Sequence, residues 1–230
     1  MSVPSKSVAN LDMHARSANA ARALSESGCA LLTPQQLHAA CAVQLAELDS
    51  LSGSWNRLPR DTYLLDGGRY RFRRHSCFIH ELASDSLELV PHRAHWQPRD
   101  YNALHGGLER WFEPIESSVL DAPGWAHLLR ALGGLFATVR PVPRWYIEAH
   151  QFRIDTAEGI GRPTPEGAHR DGVDYVAVIL VKRNDVSGGE TRVFDADGRL
   201  LVAHEDTTGA GTLIPPDGVA GSRMPPTTEA

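Results

Sequence analysis

Pro165-Glu166-Gly167-Ala168-His169-Arg170-Asp171-Gly172-Val173-Asp174-Tyr175 decides how the rest of the chain is read. It holds a His-x-Asp pair and runs into a β-branched apolar stretch, Tyr175 to Val181. Extended backbone repeats every two residues, so His169 and Asp171 share a side while Arg170 points away. An imidazole and a carboxylate side by side are two adjacent corners of a metal site. One more His from a distant strand would complete a 2-His-1-carboxylate set, which leaves positions on Fe(II) open for a co-substrate and O2. A bare His-x-Asp is more often a turn histidine beside a capping Asp. Here Gly159, Gly161, Pro163, Pro165 and Gly167 make an irregular approach, and a buried-looking strand follows. Metal ligands at a strand end are normally presented in this way.

Outward from that stretch, 230 residues allow one domain with a substantial core. Hydrophobic content of 42% and charged content of 22% are ordinary for a soluble globular protein. A net charge of −5 with 23 Lys+Arg gives no electrostatic reason to expect nucleic acid. Cys29, Cys41 and Cys77 are an odd count without CxxC spacing, and read as free thiols in a reducing compartment. No apolar run approaches the roughly 18 residues needed to span a bilayer. Met1 to Ala20 lacks the apolar core of a secretory signal, so the cytoplasm is the expected compartment. Residues 1–20 are expected to be disordered and 21–230 to form a single domain, with core strands about 144–214 and C-terminal strands incomplete. The sequence sets no oligomeric state.

Thr33-Pro34-Gln35-Gln36 is a helix start, with Thr as N-cap, Pro at the first helical position and Gln three residues after the cap. The spacing of Leu37, Ala40, Cys41, Leu45 and Leu48 predicts one helix to about Leu48. Thr62–Leu65 and Arg69–Phe72, separated by Asp66-Gly67-Gly68, predict a hairpin. Alternation there puts Arg69, Arg71 and Arg73 on one face and Tyr70 and Phe72 on the other. The arginines either line the mouth of a site for anions or sit in surface salt bridges. His92, His95, Trp96, Tyr101 and Asn102 form a polar, aromatic loop that suits a substrate lid. Leu108 to Ala137 reads as helical, with a second half opening at Asp121-Ala122-Pro123-Gly124. After Pro141 and Pro143 the period changes to that of strands: 145–154, 175–182, 190–194, 199–203 and 212–214. Helices followed by short strands at this spacing predict an α+β protein with a small barrel or jelly roll and helices packed outside.

His150-Gln151-Phe152-Arg153-Ile154, Pro165 to Tyr175 and Ser187-Gly188-Gly189-Glu190-Thr191 together resemble the 2-oxoglutarate/Fe(II) dioxygenases that include free L-amino-acid hydroxylases of the L-isoleucine 4-hydroxylase type and BsmA-like proteins. Arg69-Tyr70-Arg71, Asn102, Gly106-Gly107 and Arg110 add to the likeness, which runs from about residue 55 to about 215. The resemblance implies a double-stranded β-helix core. It implies Fe(II) and 2-oxoglutarate as co-substrate, with oxidative decarboxylation coupled to hydroxylation of a free amino acid or similar small molecule. His169 and Asp171 are the implied metal ligands. Arg69, Arg71, Asn102 and Gln151 are candidates for the substrate or cofactor pocket.

The same resemblance places a third ligand, a His, just after a strand expected near 219–223. This chain has Pro216-Asp217-Gly218-Val219-Ala220-Gly221-Ser222 there, so Ser222 stands where the family has its His. A serine hydroxyl is a poor Fe(II) ligand beside an imidazole. His204 and His150 are the weaker alternatives. The family's final strand, which carries an Arg for the distal carboxylate of 2-oxoglutarate, is expected to be missing, since Arg223 is the only Lys or Arg after Arg199 and no motif aligns it with that role. These departures predict low or absent turnover and leave a rival reading, a non-catalytic stress- or biofilm-associated binding protein on the same fold.

Overall fold

The computed structural model describes residues 18–102, 104–157, 159–165, 167–169, 171–195, 197–204, 211–214 and 219–221. In chain order the elements are α1 (18–27), β1 (Ala30–Leu32), α2 (Pro34–Cys41), α3 (Leu45–Ser50), a 3-10 turn (Ser52–Arg57), β2 (Arg71–Glu81), β3 (Ser86–Leu89), α4 (Ser117–Leu120) and α5 (Pro123–Val139). The strands β4 (Arg144–Ile154), β5 (Val176–Ile179), β6 (Thr191–Phe194), β7 (Leu200–His204), β8 (Gly211–Ile214) and β9 (Val219–Gly221) follow.

Thr33 opens α2 as its sequence predicts. Its Oγ1 accepts the Gln36 N–H, the Gln36 side chain accepts the Thr33 N–H, and Pro34 fills the first helical position. The helix does not continue to Leu48. Ala42 turns left-handed at φ 52° and the chain restarts as α3, because the break drops Val43 into the core at 1% exposure. Around it pack Leu37, Cys41, Leu132 and Leu213, with Ala20, Ala21 and Leu24 of α1. That helix begins inside the stretch expected to be disordered, while residues 1–17 lie outside the described residues.

Pro123 starts α5 and the helix ends at Arg140, just before Pro141. Trp125, Leu128, Leu129, Leu132 and Leu135 form its buried stripe. The helix expected from Leu108 is absent until Ser117, because the extended backbone before it is bonded to β2. There the His75 N–H donates to Glu113 O, and the Ile115 N–H donates to Ser76 Oγ. The predicted hairpin at 62–72 is likewise not formed. The Asp66 carboxylate accepts the Gly68 N–H and the Tyr70 hydroxyl, closing its own turn, while Arg71 and Phe72 are claimed by β4.

The long sheet has the order β3-β2-β4, with an unbroken antiparallel register from Arg71↔Ile154 to Glu81↔Arg144. Two further sheets have the orders β1-β8-β5 and β7-β6-β9. Every strand pairing described is antiparallel. The strands predicted after Pro143 all form, with ends shifted by a few residues, and β9 falls where a strand was expected to begin. β1 and β3 were not foreseen. β1 matters most, since it carries the N-terminal segment onto β8, next to the strand that leaves the His-x-Asp motif.

Directly opposed residues of an antiparallel pair share a face. One face of the long sheet, with Phe78, Ile147 and Ala149, packs on α4 and α5 through Val119, Trp125 and Leu129. The other carries Arg71, Arg73 and His75 opposite Ile154, Phe152 and His150. Such an inward face is ordinarily apolar, and here it is polar and buried.

Candidate active site

Arg71 and Arg73 are each 4% exposed, so they are not in surface salt bridges. Arg71 Nε donates to Asp61 Oδ2 at 2.8 Å, Arg73 Nη1 lies 3.9 Å from the same oxygen, and the Asp61 side chain is fully buried. Arg73 is held between two rings, its guanidinium carbon 3.8 Å from the Phe112 centroid and 4.4 Å from that of Phe152. Its Nη2 donates to His150 Nδ1 at 2.7 Å. Burial and the neighbouring charges of Arg71 and Arg110 disfavour the Arg73 cation, but guanidinium basicity keeps it charged. Arg71 also donates to the Pro163 carbonyl, tying β2 to the irregular approach to the motif.

That approach delivers His169 and Asp171 together, although neither lies in a regular strand. His169 Nδ1 is 3.0 Å from Gly167 O, so it carries the proton and donates it. Nε2 then faces Asp171, 3.3 Å from Oδ1. A hydrogen bond from Nδ1 to a backbone carbonyl is the contact that leaves Nε2 as the ligating nitrogen in metal-bound histidines. Asp171 Oδ1 accepts Gln97 Nε2 at 3.0 Å. The amide orientation of Gln97 is forced, because its Oε1 already accepts from Asn102 Nδ2 and Arg110 Nη2, both of which can only donate. Burial pushes the Asp171 carboxyl up, yet His169 and Gln97 outweigh it and hold it below the ordinary range. Gly172, at φ +71°, permits the turn: a Cβ there would lie 2.8 Å from the Tyr101 ring.

A second donor group lies on the polar face of the long sheet. His75 on β2, Glu148 and His150 on β4, and His95 in the covering loop bring ligand atoms within 4.8 Å of one another, a group able to hold a metal ion. His75 and His150 stack with ring centroids 4.6 Å apart, and His95 meets His150 edge-on at 4.9 Å. His95 Nδ1 donates to Glu148 Oε2 at 2.9 Å, and a mutual backbone bond pair with Arg110 fixes the His95 backbone. Burial lowers His75 to about 4, against the opposing pull of Glu148. Burial, then Arg73, His95 and His75, holds His150 well below its ordinary range. Glu148 is raised by burial, but the His95 hydrogen bond and charge leave it below the ordinary carboxylate range.

The residues named from the sequence are dispersed unevenly. His169, Asp171, Arg71, Asn102 and His150 belong to this one connected polar region. Arg69 is exposed and outside β2, and Gln151 points to the opposite face of β4, where it donates to Ser54 Oγ. His204 ends β7, and Ser222 lies outside the described residues. Sequence reasoning passed over His75, Glu148 and Gln97. The available signal was Glu148-x-His150 alternating with Trp145, Ile147 and Ala149, a half-apolar strand whose other side is polar.

Residues 52–218 match the family described as 2OG-Fe dioxygenase. The chain belongs to that family. A BsmA homolog from Methylobium petroleophilum PM1 is 50% identical, with TM-score 0.84 over 90% of this chain and 83% of that one. IDO from Bacillus thuringiensis matches with TM-score 0.72 at 15% identity over 90% of this chain and 89% of its own. The Fe(II)/(alpha)ketoglutarate-dependent dioxygenase TqaL matches with TM-score 0.62 at 14% identity over 94% and 81%. At such identities the last two show the fold. No curated protein sequence matches the chain. The 2OG-Fe dioxygenases use Fe(II) and 2-oxoglutarate, so this member is an oxidoreductase, and its mixture of helices and antiparallel sheets is consistent with an oxygenase fold. Its donor chemistry fits the metal, since both groups offer imidazole nitrogen with carboxylate oxygen. The non-catalytic binding reading gains no support from these findings. Among the described residues no helix is long and apolar enough to cross a membrane.

Proposed function

We propose that the chain hydroxylates a free L-amino acid or a similarly small zwitterion, with His169 and Asp171 as ligands to Fe(II) and the strands after Pro143 forming a jelly-roll core within a single domain spanning 21–230. The observation that carries this reading is the convergence of His169 Nε2 and Asp171 Oδ1 to 3.3 Å, with His169 Nδ1 fixed by a carbonyl. That spacing suits two neighbouring ligands on one ion.

When bound, iron supplies the redox chemistry: substrate C–H, O2 and 2-oxoglutarate become substrate C–OH, succinate and CO2. The protein's part is positional and electrostatic. Gly167 O orients the His169 ring, and Gln97 orients Asp171 while holding it ionised. Asn102 and Arg110 lock Gln97, so both are positioning residues. Arg71 and Arg73 supply a basic wall suited to the carboxylates of a dicarboxylate co-substrate and an amino acid. Phe112 and Phe152 sandwich Arg73, which keeps its planar guanidinium oriented and shielded from water.

The test incubates the purified chain with Fe(II), ascorbate, 2-oxoglutarate and each free amino acid, and measures products by mass. A product one oxygen atom heavier than one of the amino acids, formed only with 2-oxoglutarate present, is the expected result. Succinate formation with no amino acid oxidised would remove the substrate class and leave the co-substrate.

A further inference from the structure

We propose that His75, His95 and Glu148 form a second divalent transition-metal site, separate from the His169–Asp171 pair, with His150 packed at its edge. The proposal does not depend on the substrate reading above. The site is built on the long sheet and a loop bonded beside it. His75 and Glu148 stand on adjacent strands in unbroken register, and His95 is pinned by its backbone bonds to Arg110.

Distances select these three residues from the four that cluster. Ligands about 2.1 Å from one ion, at right angles, lie about 3 Å apart. His95 Nδ1 and Glu148 Oε2 are 2.9 Å apart, so an ion replacing the proton between them meets both with little movement. His75 Nε2 is 3.9 Å from Glu148 Oε1, inside the roughly 4.2 Å span of ligands on opposite sides of an ion. His150 differs. Its Nδ1 accepts Arg73 Nη2, which can only donate, so the neutral ring carries its proton on Nε2, the atom 4.0 Å from Glu148. With that proton in place it cannot ligate through Nε2 and serves as a neighbour, stacked on His75.

A second observation points to a ligand. His75 is 1% exposed; among the described residues its Nε2, the nitrogen facing Glu148, has as hydrogen-bond partner the weakly donating Cys77 thiol at 3.4 Å, and its Nδ1 has none. Buried polar groups are nearly always satisfied, and a buried imidazole left short of partners is expected where an ion is missing. Two imidazoles and one carboxylate suit Fe(II), Co(II), Mn(II) or Zn(II).

The experiment uses Co(II) as the probe, with the chelator-stripped full chain, a His169→Ala/Asp171→Ala variant, and that variant further changed by Glu148→Gln or His95→Ala. Binding is read by dialysis stoichiometry and visible d–d absorption, and folding by circular dichroism. The expected result is one Co(II) retained in the His169→Ala/Asp171→Ala variant, with affinity falling by at least about 100-fold on either further change. His95 lies in a loop, so His95→Ala keeps the test valid if Glu148→Gln disturbs the sheet. A His169→Ala/Asp171→Ala variant that binds no Co(II), or one whose binding ignores both further changes, overturns the proposal. These readouts require no turnover, so the substrate reading can fail while this site stands, and the reverse.

Discussion

Asp61→Asn should be among the most damaging single substitutions in the chain, although Asp61 touches neither donor group. Its carboxylate, fully buried, is the counter-charge for Arg71 at 2.8 Å and lies 3.9 Å from Arg73. It also accepts the Tyr63 N–H at 2.9 Å through its other oxygen. Removing one partner of a buried pair leaves an uncompensated charge, at a cost of about 3–5 kcal/mol. Folded domains have about 5–15 kcal/mol in total. With a urea slope of about 2 kcal/mol per molar, the unfolding midpoint should fall by about 2 M. The double change Asp61→Asn/Arg71→Met should recover part of that loss, because replacing both partners removes the orphaned cation. Arg57→Ala, which breaks an exposed pair with Glu116, should shift the midpoint far less. A fall below about 1 kcal/mol at unchanged slope would refute the claim that Asp61 balances the arginine wall.

Further outcomes follow from the same geometry. His75 is held neutral in the folded state down to about pH 4, whereas the unfolded chain protonates it near 6.5, so the unfolded state binds more protons between those values. That contribution is fully present above the unfolded value and lost as pH falls. Chelator-treated protein should therefore lose about 2 kcal/mol of unfolding free energy from this residue between pH 7 and pH 5, and a His75→Gln profile just as steep would contradict it. The buried thiols should be inert in native protein: burial raises Cys29 and Cys77 and pushes Cys41 up to about 12. A thiol reagent at pH 8 should titrate all three only after denaturation; rapid reaction of a native thiol would show the packing to be wrong. Gly172→Ala combines a left-handed backbone with a clash against Tyr101 and should cost about 1–2 kcal/mol while weakening Fe(II) binding. Unchanged melting and metal affinity would show that the Gly172 turn and its contact with Tyr101 do not set the position of Asp171.

Local signals carried the parts of the fold that depend on short spans of sequence. The Thr33 capping box, the Pro123 helix start and the strands after Pro143 all rest on neighbouring residues, and they form. Elements decided by distant partners were harder to read. β2 hides its alternation because its inward side is Arg71, Arg73 and His75, which only the opposing strand and Asp61 make tolerable. The 108–116 segment has helix-like spacing, yet its backbone bonds to β2, and the hairpin at 62–72 lost to the longer pairing with β4. In the site, the His-x-Asp pair was legible because two residues set its geometry. The alternation there assumed a strand, and the actual convergence comes from a turn anchored by Gly167 and Gln97. The His75–His95–Glu148 group draws on three separate segments, and no spacing within one of them announces it.

The central claim is that His169 and Asp171 are ligands to the iron of this 2OG-Fe dioxygenase. Its most direct measurement is succinate released from 2-oxoglutarate by the Fe(II)-loaded chain beside His169→Ala and Asp171→Ala, all shown folded by circular dichroism. The account predicts Fe(II)-dependent succinate from the unmodified chain and a loss of at least about 100-fold in each variant. Succinate formation undiminished in both variants, or none from the unmodified chain, would contradict it.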